Sequence, residues 1–88
     1  MSAENLENIK QAVAILQSLA NDNVIPRNVR RSIKDVVDTL NDGSLSPAVR
    51  AANAIAALEE IAQDPNVPSY ARVTLWNAFS YLERIREA

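Results

Sequence analysis

Cysteine and histidine are both absent from this 88-residue sequence, and each absence removes a class of chemistry. Without Cys there is no disulfide, no thiol nucleophile and no thiolate ligand for a metal, so the chain needs no oxidising compartment. Without His, the common zinc, haem and neutral-pH proton-shuttle arrangements lose their usual residue. Glycine occurs once, at Gly43, which rules out a glycine-rich phosphate loop. Apolar runs never approach the roughly 20 residues of a membrane span. The start, Met1-Ser2-Ala3-Glu4, lacks the basic residues and apolar stretch of a secretory signal, so a cytoplasmic location is expected. A formal charge of −2 and a pI near 5 argue against general attraction to nucleic acid or anionic lipid.

Carboxylates, hydroxyls and amines remain, and their spacing is unhelpful for catalysis. Glu59 and Glu60 are neighbours, which on a helix point about a third of a turn apart and cannot share a proton or a metal. Ser44, Ser46 and Ser69 have no His to activate them. The expectation is a non-enzyme with no cofactor and no metal site.

Three segments organise what is present: Asp22 to Arg30, Asp42 to Arg50 and Asp64 to Arg72, each pair eight residues apart. Pro26, Pro47 and Pro68 fall between the partners, and Pro is favoured in the first turn of a helix, where its missing N–H costs nothing. The breaks divide the chain into four helices. An Asp at a helix end can accept hydrogen bonds from the next backbone turn. An Arg one turn into the following helix can fold back on that carboxylate or on loop carbonyls, fixing the angle between helices.

Apolar periodicity fills in the helices between. The first, capped by Ser2, presents Leu6, Ile9, Val13, Leu16 and Ala20, with Ala12 and Leu19 beside them. The second presents Val29, Ile33, Val36, Val37 and Leu40 and is expected to stop at Gly43 in a left-handed conformation. The third, entered through Ser46-Pro47, is apolar over most of its circumference, which predicts a central position or burial against another chain. The fourth presents Ala71, Leu75, Ala78, Phe79, Leu82 and Ile85, and Glu83, Arg84, Arg86 and Glu87 end it.

Shifting the chain by 42 places aligns Ala14 with Ala56, Leu16 with Leu58, Ala20 with Ala62, Asp22 with Asp64, Pro26 with Pro68, Arg30 with Arg72 and Leu40 with Leu82. The reading is one all-α, four-helix domain over residues 1–88: a hairpin at about 3–42 and its repeat at about 46–86, arranged as a bundle or a HEAT-like stack. Stacking through the first and third helices is expected. The strings VIPRNVRRSI, VRAANAIAALEEIAQDPNVPSYAR and VTLWNAFSYLE resemble an uncharacterised family of small archaeal proteins. That resemblance implies a four-helix fold and an intracellular archaeal setting, and supplies no catalytic or ligand residues.

Two surface features bear on function. Tyr70, Val73, Trp76 and Tyr81 offer a second apolar surface on the fourth helix, suited to a protein partner or a second copy of the chain. Covering of Trp76 by the other hairpin is the structural counterpart. Arg27, Arg31 and Lys34 form the one concentrated basic stripe, a candidate anion or RNA contact set against a plain solvated face with Asp35 and Asp38 as neighbours. The favoured function is a small interaction or assembly module, and an RNA- or ribonucleoprotein-associated factor is the competing reading.

Overall fold

The computed structural model describes residues 3–86, in which the three Asp-to-Arg segments separate four helices: α1 (Ala3–Ala20), α2 (Arg27–Leu40), α3 (Pro47–Ala62) and α4 (Ser69–Glu83). No strand occurs among the described residues. The capping role expected of Ser2 and the place of Glu87 lie outside them.

One local structure is built three times at the junctions. In each, the Asp Oδ1 accepts the N–H two residues on, from Val24, Ser44 and Asn66 at 2.9, 3.0 and 2.9 Å. Its backbone carbonyl accepts the N–H three residues on, from Ile25, Leu45 and Val67. These paired bonds turn the chain tightly enough to drop an apolar side chain inward, and Ile25 and Val67 are almost wholly buried. The next residue, Pro26, Ser46 or Pro68, is the N-cap of the following helix. Only Ser46 has a side chain able to cap, and its hydroxyl accepts the Val49 N–H.

Gly43 is not left-handed, contrary to the sequence expectation: no described residue has a positive φ. α2 closes instead on Asn41, at φ −92° and ψ 0°, and the Asp42 side chain takes over the turn. That makes the glycine unnecessary, and Asn23 and Pro65 stand at the matching places in the other two junctions.

Consecutive helices pack side by side, and α4 returns to lie along α1, closing a ring in which α1 and α3 meet only across the diagonal. This replaces the expected stacking through the first and third helices and decides for a bundle over an open HEAT-like stack. An open stack would leave one side of α4 uncovered, whereas the ring covers Ala71, Leu75, Ala78 and Leu82 to 1% exposure or less. Within the ring, α1 pairs with α2 and α3 with α4, as the hairpin reading requires.

A single apolar cluster draws on all four helices and on the junction residues Ile25 and Val67. Val13 and Ile55 are half-buried and packed against it. α3 is neither central nor enclosed: Ala51, Ala54, Leu58 and Ile61 face inward, while Ala52, Asn53 and Ala56 are exposed. Its alanines therefore serve helix propensity as much as packing. On α1 the buried face is rotated from the expected one, with Leu6 46% exposed and Asn5 only 6% exposed. The Asn5 amide donates to the Arg86 carbonyl at 2.6 Å and accepts the Arg86 N–H at 3.2 Å, stitching the start of the chain to its end.

Candidate functional site

The three junction arginines sit four residues after their N-caps, where a side chain leans back toward the helix start. Each one reaches carbonyl oxygens. Arg30 Nε donates to the Ile25 carbonyl at 3.0 Å, with a longer bond of 3.5 Å to Asn23 Oδ1. Arg50, 8% exposed, donates to the Leu45 carbonyl at 2.7 Å and the Leu40 carbonyl at 3.5 Å. Arg72 donates to the Ala62 and Asp64 carbonyls at 2.9 and 2.8 Å. A cation near a helix N-terminus is disfavoured by the dipole, and these carbonyl oxygens, from the end of the previous helix and the loop, offset that. Asp22, Asp42, Asp64 and the arginines therefore form the scaffold that holds consecutive helices together.

Junction one carries an addition that local reasoning did not find. The Tyr70 hydroxyl donates to Asp22 Oδ2, joining the first loop to the start of α4 across 48 positions of sequence. That bond, followed by the one from the Val24 N–H, holds the Asp22 carboxyl below its ordinary pKa and pushes the Tyr70 phenol up. Asp42 is likewise lowered, by the Ser44 hydroxyl and then by the Ser44 N–H.

Trp76 is 54% exposed, so the other hairpin does not cover it. Its ring meets Phe79 at 4.9 Å between centroids, tilted by 50°, and so shields the edge of the core with one side only. Val73 is 63% and Tyr70 48% exposed beside it. Ser69, Val73, Trp76 and Ser80 fall within about 60° of one another at about 100° per residue, and all are exposed. Tyr81 leaves this group: it is half-buried against the core, with the Arg84 guanidinium 4.8 Å from its ring centre. The surface is thus narrower than the sequence suggested, because Tyr81 lies on the side of α4 that turns toward the core.

Arg27, Arg31 and Lys34 are all exposed on α2, where Asp38 shares their side of the helix one turn beyond Lys34. Lys34 and Asp38 flank the same shallow groove between α1 and α2. Elsewhere, an open groove of about 390 Å³ between α2 and α3 is lined by Asp35, Glu60 and Asp64, with Asn28 and Asn53 alongside. Sequence spacing puts Glu60 and Asp64 about one turn apart, and the packing of α2 on α3 adds Asp35 to the same groove. Among the described residues no group of acidic side chains is arranged to hold a metal ion.

Comparison with known proteins settles kinship. The model of the Uncharacterised protein family (UPF0147) matches residues 1–85. This chain belongs to that family. A UPF0147 protein of Metallosphaera sedula is 55% identical over 84 residues, covering 96% of this chain and 94% of its own. One from Aeropyrum pernix is 49% identical over 87 residues, covering 99% and 96%. The fold has a solved counterpart in the crystal structure of MMP1188, a protein of unknown function, with a TM-score of 0.87, 31% identity and 92% of each chain covered. UPF0147 relatives in archaea thus bear out the resemblance read from the sequence, and the family's function is uncharacterised.

Proposed function

We propose that this chain is a non-catalytic protein-interaction module whose contact face is the exposed side of α4, with Tyr70, Val73 and Trp76 as its anchors. The observation that carries the reading is the exposure of Trp76 and Val73, 54% and 63%, on a domain whose core is otherwise well covered. Full burial of such a side chain is worth roughly 1.5–3 kcal/mol, and a partner would recover the share that the present partial cover leaves. Between residues 65 and 82 the only charge is Arg72, and Arg72 is held on carbonyls. An aromatic, charge-poor surface has the composition of an interface centre. The nucleic-acid reading of Arg27, Arg31 and Lys34 has no comparable support, with Asp38 on the same side of α2. The proposal places the module in the cytoplasm, a setting that suits a Cys-free chain in which no described helix is long and apolar enough to cross a membrane.

The test compares immobilised wild type with a Trp76→Ser, Val73→Ser double variant in retaining proteins from native cell extract, after circular dichroism has shown that both are folded. Retention by the wild type alone is the expected result. Equal retention by both removes α4 as the contact face.

A further inference from the structure

The exposed side of α4 carries its polar groups in an order that matches itself when turned end for end. Its middle, at Val73, Trp76, Asn77 and Ser80, has no charge. Charge stands only at the two ends. At the C-terminal end are Glu83 and Arg84, both exposed. At the other are the Asp22 carboxylate, held there by Tyr70, and the first-turn N–H groups of α4, to which Pro68 offers no side-chain cap.

We propose that a second copy of this chain covers the face, its α4 laid antiparallel to the first about a twofold axis near Trp76 and Asn77. Such pairing rests on the exposed side of α4 being a contact face. Arg84 and Tyr70 each lie about 10 Å along the helix from Asn77, and Glu83 and Ser69 the same from Trp76, at about 1.5 Å per residue. Antiparallel pairing therefore carries Arg84 to Asp22 of the copy. It also carries Glu83 to the uncapped, electropositive start of the copy's α4. Both matches occur twice, as twofold symmetry requires. A charged residue on the axis would meet its own kind, and the neutral middle avoids that. The parallel alternative sets Arg84 against Arg84 and Asp22 against Asp22. A partner of unrelated sequence would call for neither match at the ends.

The absence of Cys makes the test direct, because one introduced thiol is the only thiol. Asn77→Cys, close to the axis, should oxidise to a disulfide-linked dimer at least tenfold faster than Arg31→Cys, an exposed control on α2. Sedimentation of the wild type should show a monomer–dimer equilibrium with Kd in the micromolar range, as befits a face with three anchors. Arg84→Glu should weaken it at least tenfold, and added salt should weaken the wild type in the same direction. A chain that stays monomeric to about 1 mM, with Asn77→Cys no faster than Arg31→Cys, overturns self-pairing. That outcome leaves the contact-face reading to its own retention assay, where a foreign partner lost with Trp76 would still uphold it.

Discussion

Replacing Arg50 by Ala is the sharpest test of how the helices are held. Arg50 is the most buried of the junction arginines, and its two bonds end on the carbonyls of Leu45 and Leu40. Truncation removes a charged donor, worth about 1.5–3 kcal/mol, and takes a partner from the buried Leu40 carbonyl and the part-buried Leu45 carbonyl. Loss of the buried side-chain stem adds to this, and we expect about 3 kcal/mol in all. At roughly 4–8 °C per kcal/mol for a domain of this size, Tm should fall by about 12–24 °C. Arg72→Ala should cost about 2 kcal/mol, and Arg30→Ala, with one good bond and one long one, about 1 kcal/mol. Thermal melts followed by helical circular dichroism give the order, and urea titration gives the free energies. Asp42→Asn keeps the side-chain acceptor for the Ser44 N–H and removes the charge, so it should lower Tm far less than Arg50→Ala. An Asp42→Asn protein that melts as early as Arg50→Ala would refute the carbonyl clamp in favour of an ion pair. So would an Arg50→Ala protein that melts within about 3 °C of wild type.

Gly43→Pro should raise stability by about 0.4–1 kcal/mol in urea titration, since the position has no positive φ, a Cβ there meets nothing within 4 Å, and Pro65 already occupies the matching place. Asn5→Ala should cost about 1–3 kcal/mol, measured the same way, because two backbone groups of Arg86 lose their partners. Tyr70→Phe should flatten the pH dependence of Tm at both extremes. The lowered Asp22 carboxyl contributes stability above about pH 4 that is lost as pH falls, and the raised Tyr70 phenol contributes stability that is lost as pH rises through about 10 and beyond. Unchanged slopes in the Phe variant would mean that the Tyr70–Asp22 bond is not made in solution.

Much of the fold was legible in the residues because the deciding interactions are short-ranged. The stripes of α2 and α4 are plain in the sequence, since apolar residues recurring every three or four places leave one buried side. The burial of Asn5 leaves no local sign, because its partner lies 81 positions away and a polar residue in a first turn reads as surface. Gly43 misled because the usual glycine stop competes with an Asx-turn, and Asp42 wins. For the candidate contact face, Val73 and Trp76 stood out as lying off the inner stripe. Whether the other hairpin covered them depended on which helices are neighbours.

By itself, then, the sequence determined four helices, their ends, and a threefold Asp-to-Arg junction, because caps, turns and helical periodicity act within a few residues. Tertiary structure alone decided that α4 closes on α1, that the arginines donate to carbonyls, that Tyr70 reaches Asp22 and that Trp76 stays in water. Those outcomes depend on how whole helix surfaces fit together, and shape complementarity between distant segments leaves no mark at any one position in the chain.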